Sequence, residues 1–243
     1  MRPLSLAFLL LAVAAAPAYP AEKPAEKKPV PKKITGKSLY SHGNEELIIR
    51  DFFQDREGGV FLDVGCAWPI EKNNTYYLEK HLGWSGIGVD GLPDFAPGWK
   101  AKRPKSQFFN YLVSDHSDTV EPFYRSELKG TSAATKDGDE MKGPAGRPVK
   151  HDEIKVPTTT LNKLLDDHGV KKVDLLSMDI EGYEPIALAG FDIERFKPEL
   201  VCIETKPKNR DVLLEYFAKH GYVRLDQYLG ADTTNWYFAP KPR

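Results

Sequence analysis

Short apolar runs alternate with amphipathic stretches along most of this 243-residue chain. Val60, Phe61, Leu62 and Val64 make a run of strand-favouring residues, with Gly58 and Gly59 before it and Gly65 after it. Residues 86–90, 107–113, 173–180 and 200–205 repeat that pattern, so five buried strands are expected. Between them lie stretches with a helical apolar face. Residues 45–53 are capped by Asn44, and 73–82 are opened by Asn73-Asn74-Thr75 and closed by Gly83. Residues 92–102 are limited by Pro93 and Pro97, and 161–167 form a further helix. Residues 181–189 stop at Gly190, and 210–219 end at Gly221. An edge strand is expected at 154–159, and a closing antiparallel pair at 222–228 and 236–239. Residues 117–150 keep no period and read as a long loop, which in a compact domain is a sign of function or mobility. Strand and helix alternate throughout, which predicts an α/β domain with a mostly parallel, doubly wound sheet and right-handed crossovers.

The N-terminal stretch breaks the pattern. Arg2, the apolar run from Leu4 to Ala16 and the small residues of Ala16-Pro17-Ala18 read as a secretory signal over 1–18. That apolar run is short for a membrane span, so no stable span is expected once it is removed, with an uncleaved anchor as the alternative. Residues 19–37, rich in Lys and Pro, read as an extended linker, which leaves 38–243 as the domain. The expected location is secreted or periplasmic, or cytoplasmic if residues 1–18 are not an export signal. The net charge of −1 provides no surface for a polyanion, so nucleic acid is not an expected partner. The two cysteines, Cys66 and Cys202, are no disulfide framework and read as small buried side chains.

Charge at the strand ends points to a small-molecule site. Asp63, Asp90 and Asp115 end or follow the first three strands, where α/β sheets place their ligands. Asp63 could alternatively cap the following turn. An acid at the end of a second strand suits the two hydroxyls of a ribose. Gly65 permits a tight turn with backbone N–H groups facing a ligand. The residues after it, Cys66, Ala67, Trp68 and Pro69, lack the spare glycines that admit a pyrophosphate. S-adenosylmethionine has no pyrophosphate and suits such a loop. Further on, Asp179 ends the fourth strand, and Glu181 and Glu184 share one helix face. These carboxylates suit a general base for a substrate hydroxyl, or a divalent cation that is permitted but not required. Acids in a first helical turn also simply offset the dipole, a reading that applies best to Glu184. His116 reads as a solvated loop histidine, with a base beside the crevice as the alternative, and Trp84 and Trp236 read as core residues, while Trp68 sits in the site loop.

The chain resembles the FkbM-type methyltransferases. The resemblance lies in Phe61-Leu-Asp-Val-Gly-Cys-Ala, Asn74-Thr75 with Leu78-Glu79, Gly83-Trp-Ser-Gly-Ile87, Thr160-Leu161, Ser177-Met-Asp-Ile-Glu-Gly-Tyr-Glu184 and Ile203-Glu204. Ser41-His42-Gly43-Asn44-Glu45-Glu46 is similar to the segment before the family's first helix, although a glutamine is common where this chain has His42. Asp90-Gly91 stands where Glu-Pro is frequent, so an acid is kept. The resemblance implies a Rossmann-like fold, S-adenosylmethionine as cofactor, and methyl transfer to an oxygen of a sugar or other small metabolite, with a small-molecule or glycan acceptor as partner. Asp63, Gly65 and Cys66 would then shape the loop around the methionine portion, Asp90 would hold the ribose, and Ser114 and Asp115 would lie at the adenine edge. Asp179 would border both cofactor and acceptor, with Glu181 and Glu184 beside it as the catalytic acids. Two other readings are an exported, non-enzymatic binding protein on the same fold and a nicotinamide-dependent oxidoreductase, the latter disfavoured by the single-glycine loop.

Overall fold

The computed structural model describes residues 33–127, 132–134 and 149–242. The expected signal and residues 19–32 of the expected linker lie outside the described residues. In chain order come α1 (Glu45–Phe53), β1 (Val60–Val64), α2 (Tyr76–Leu82), β2 (Ser85–Asp90), α3 (Ala96–Lys102), β3 (Ser106–Asn110) and β4 (Leu112–Val113). Then follow β5 (Val120–Ser126), β6 (His151–Thr159), α4 (Leu161–Asp167), β7 (Leu175–Met178), α5 (Glu184–Ala189), α6 (Ile193–Phe196), β8 (Leu200–Glu204), α7 (Arg210–Lys219), β9 (Tyr222–Arg224) and β10 (Asn235–Pro240).

Seven strands form one sheet in the order β3-β2-β1-β7-β8-β10-β9. The pairs β2–β3, β1–β2, β1–β7 and β7–β8 are parallel, whereas β10 runs antiparallel to both β8 and β9. This is the expected Rossmann-like, doubly wound architecture with its antiparallel closing pair. Strand order reverses between β1 and β7, the switch point where such sheets open a crevice. Alternation within the strands explains the layers. Leu62, Val64, Leu176, Met178, Val201 and Ile203 pack into one core, with Leu188 and Phe217. Their neighbours Phe61, Leu175, Leu200 and Cys202 face the other layer, with Ile48, Ile49 and Trp84. Burial of each such side chain contributes about 1.5–3 kcal/mol. Trp84 is buried and Trp236 half-buried, both within core clusters.

Several boundaries differ from expectation. Asn44 does not cap α1 with its side chain; its amide donates instead to the Ala231 carbonyl at 2.7 Å. The expected strand 107–113 splits into β3 and β4, and β4 leaves the large sheet to pair with β6. The expected loop 117–150 contains β5, which pairs with β6 as a hairpin and completes a second sheet, β4-β6-β5. Val120 to Ser126 alternates weakly in hydrophobicity, so only the tertiary pairing reveals the strand. Residues 179–183 are neither strand nor helix, because Glu181 and Gly182 both take positive φ, +59° and +94°.

Candidate functional site

The site begins at the turn after β1. Gly65 has φ +77°, and a Cβ there would stand 1.8 Å from the Asp179 carbonyl oxygen. Only glycine allows the ends of β1 and β7 to touch. The expected role of this turn is corrected in one respect. The N–H groups of Gly65 and Cys66 both donate to the Val89 carbonyl, at 2.9 and 3.3 Å. The next N–H, of Ala67, donates to Asp90 Oδ2 at 3.0 Å. Three successive donors are therefore used within the protein and none faces a ligand phosphate.

Asp90 ends β2 and is 9% exposed. Its Oδ2 accepts from Ala67 and its Oδ1 accepts from the Leu92 N–H at 2.8 Å. Each oxygen keeps lone-pair capacity beyond these bonds. Burial is the main cause that pushes its pKa up to about 6, against the pull of the two backbone donors. Asp90 borders a partly open cleft, together with Gly65, Gly91, Leu112, Val113, Phe123 and Tyr183. Its walls are apolar and aromatic around a few polar groups, the usual character of a small-molecule site.

Across the Gly65–Asp179 contact lies a second, more polar chamber, bordered by Asp63, Cys66, Asn73, Asn74, Ser177 and Asp179 among others. Asp63 is 4% exposed, and its Oδ2 accepts from Asn73 Nδ2 at 3.1 Å and Thr75 Oγ1 at 2.8 Å. It therefore organises the turn leading into α2. Behind it, Arg103 is 1% exposed and donates to Glu79 Oε2 at 2.6 Å, to Asn73 Oδ1 at 3.0 Å and to Thr75 Oγ1 at 3.0 Å. Burial raises the Asp63 pKa, and Thr75 and Arg103 partly counter it. Cys66 is buried, so its thiol pKa is pushed well up, the state of an inert side chain rather than a nucleophile.

The acidic block separates into three different environments. Asp179 faces both chambers. Its surface is exposed to the cleft although protein encloses it on most sides. That enclosure first, and then the charges of Glu204, Glu181 and Glu184, raise its pKa, while the charge of Lys206 opposes the rise. Glu181 borders the first cavity, and its Oε2 accepts from Lys206 Nζ at 2.8 Å. Lys206 also reaches Glu204 Oε1 at 2.9 Å. Burial opposes the Lys206 charge, but these two acids more than offset it and raise its pKa. Burial likewise lifts Glu204 to about 7, with Glu181 adding to it and Lys206 opposing. Glu184 is corrected as a catalytic acid. It is fully buried, its Oε1 accepts from the Ile180 and Gly182 N–H groups at 3.1 Å each, and its Oε2 accepts from Asn209 at 2.8 Å. It shapes the strained turn that carries Glu181 and does not border the cavity. No group of three or more His, Cys, Asp or Glu side chains is placed to hold a metal ion among the described residues, so nothing there supports the permitted divalent cation.

Ser114 and Asp115 stand outside both chambers. Ser114 is buried, with its N–H on the Thr159 carbonyl at 2.9 Å. Asp115 is exposed and pairs with His116 at 2.6 Å, and His116 in turn meets Glu121 at 2.7 Å. They lie past β4: the third strand end reaches the cavity through Tyr111, Leu112 and Val113, and Ser114 and Asp115 fall just beyond it. Residues not read from the sequence as site residues also meet at the cleft. Tyr111, Phe123 and Tyr183 line the cavity, and Lys206 holds Glu181. Lys206 follows the end of β8, so the rule that selected Asp179 would also have selected it. Phe123 carried no such signal. Trp68 packs edge-on against Phe95 at 5.4 Å, at the rim of the site loop.

A family model described as the methyltransferase FkbM domain matches residues 61–224. No curated protein matches the chain. Among solved structures, it is similar to a TehB-like SAM-dependent methyltransferase from Corynebacterium glutamicum, at 16% identity and TM-score 0.45, over 85% of this chain and 90% of that one. It is also similar to a SAM-dependent methyltransferase from Thiobacillus denitrificans in complex with S-adenosyl-L-homocysteine, at 9% identity and TM-score 0.39, over 80% of this chain and 72% of that one.

Proposed function

The chain belongs to the FkbM methyltransferase family and is a methyltransferase; on that premise we propose that it uses S-adenosylmethionine to methylate a hydroxyl of a sugar or another small polar metabolite. One observation carries the cofactor reading. Asp90 lies at the cavity beside a glycine turn whose N–H groups are already used, so the site has acceptors for a ribose and no cradle for a pyrophosphate. That same shortage of donors argues against the nicotinamide reading.

Bound across the Gly65–Asp179 contact, S-adenosylmethionine would supply an electrophilic methyl group. Asp90 accepts the ribose hydroxyls on the lone pairs that Ala67 and Leu92 leave open. The polar chamber beyond, with Asp63 and Asn74, takes the charged amino-acid end. Asp179 is the proton acceptor for the incoming hydroxyl, since it is open to the cleft and its proton affinity is raised. Glu181, held by Lys206 in a left-handed backbone conformation, orients that hydroxyl. The rate gain comes mainly from holding the nucleophile in line with the reacting carbon.

Calorimetry with S-adenosylhomocysteine and with NAD tests the cofactor. S-adenosylhomocysteine is expected to bind and NAD is not; the reverse result refutes the reading. With a methylated acceptor in hand, Asp179→Asn is expected to lower turnover about 10²–10⁴-fold at nearly unchanged S-adenosylhomocysteine affinity. Unchanged turnover would remove Asp179 from the chemistry.

A further inference from the structure

One wall of the cavity does not come from the strand–helix alternation. β5 and β6 pair from Val120↔Pro157 to Ser126↔His151. Residues 132–134 fold back on β5 through the antiparallel bridge Tyr124↔Ala133, whose two N–H···O bonds measure 2.9 and 3.1 Å. From this layer Phe123, Ser132 and Ala134 reach the cavity. Phe123 sits hard against the end of β2, where a Cβ on Gly91 would stand 2.7 Å from its ring. Gly91 directly follows Asp90, so the ring borders the position where Asp90 accepts a ribose. Ser132 Oγ accepts from the Ser126 N–H at 3.0 Å, which leaves its own proton for an acceptor in the cavity. Leu112 and Val113 supply apolar surface to the same space. The result is apolar and aromatic surface beside a diol acceptor, with one hydroxyl among the lining groups.

We infer that this hairpin wall reads the purine of the bound nucleoside, with Phe123 against the ring face and the Ser132 hydroxyl donating to a ring nitrogen. The inference rests on the methyl-donor reading and deepens it. A ring on an aromatic face and a hydroxyl at the ring edge require a heterocycle with an unprotonated nitrogen, which adenine has. It also explains why the chain inserts β5 and β6 between the third and fourth strands of the large sheet. Ser114 and Asp115, expected at the adenine edge, do not line the cavity, whereas Phe123 and Ser132 do.

The test measures binding of S-adenosylhomocysteine and 5′-methylthioadenosine to the full chain by calorimetry. The second probe has the purine and ribose without the amino-acid tail. Phe123 also packs against the core, so Phe123→Leu is used to keep apolar volume while removing the aromatic face. Both probes are expected to weaken about tenfold in Phe123→Leu, in line with base-on-aromatic stacking. Ser132→Ala is expected to weaken both about fivefold, the effect of one lost hydrogen bond. Equal losses for the two probes, at an unchanged melting temperature, support the purine wall. Wild-type affinity in both folded variants overturns it. If the unaltered protein binds neither probe, the methyl-donor reading fails first, and the inference fails with it.

Discussion

The proposed assignment of Asp90 to the ribose predicts a pH dependence of cofactor affinity that can be calculated. The perturbation is acidification from pH 7 to pH 5, with Asp90→Asn as the non-titrating comparison. In the free protein the carboxyl is raised to about 6 by burial. Ribose hydroxyls donate to the ionised form, so a bound ligand favours loss of the proton and pulls the pKa down. Binding therefore releases a proton below pH 6 and weakens as pH falls. With Asp90 ionised throughout in the complex, the ionised fraction in the free protein drops from about nine-tenths at pH 7 to about one-tenth at pH 5, and affinity falls about tenfold. Titration calorimetry with S-adenosylhomocysteine reads this directly. Repeating it in buffers of different ionisation heat gives the proton count, roughly nine-tenths of a proton released at pH 5. Glu204, at about 7, and Asp179 also titrate near the cleft, so the variant is essential. The tenfold contribution from Asp90 should be absent in Asp90→Asn, which also loses affinity because its amide cannot accept from both Ala67 and Leu92. A flat profile in the wild type, or an equal slope in the variant, would refute the assignment of Asp90 to the ribose.

Two further outcomes follow from the architecture. Gly65→Ala is expected to abolish S-adenosylhomocysteine binding and to destabilise well beyond the about 1–2 kcal/mol of left-handed strain, because its Cβ meets the Asp179 carbonyl. Gly58→Ala, at φ +69° with no atom near its Cβ, should show the strain alone, and urea unfolding of the two separates the terms. Arg103→Met should cost roughly 3–5 kcal/mol by stranding the buried Glu79 carboxylate, and adding Glu79→Gln should restore much of it in the same assay.

Local pattern determined a good deal of this protein. The apolar runs ending in Asp63, Asp90 and Asp179 are strands of the large sheet because burial on both faces demands continuous hydrophobicity, and that requirement is written in the residues themselves. Gly65 was legible for the same reason, since a glycine after a buried strand announces a backbone that other residues cannot adopt. The tertiary structure decided what the polar groups do. Asp63, Asp90 and Glu184 look alike in the sequence. One holds a turn through Asn73 and Thr75, one faces the cavity, and one is spent on two backbone N–H groups and Asn209. Hydrogen-bond partners choose among these roles, and they come from segments distant in the chain. The hairpin wall was illegible for a related reason. Val120 to Ser126 becomes a strand only through pairing with residues about thirty positions away, and Phe123 reaches the cavity only because that pairing sets it against Gly91. A side chain's type and spacing carry its burial preference, whereas its partners exist only once the chain has closed on itself.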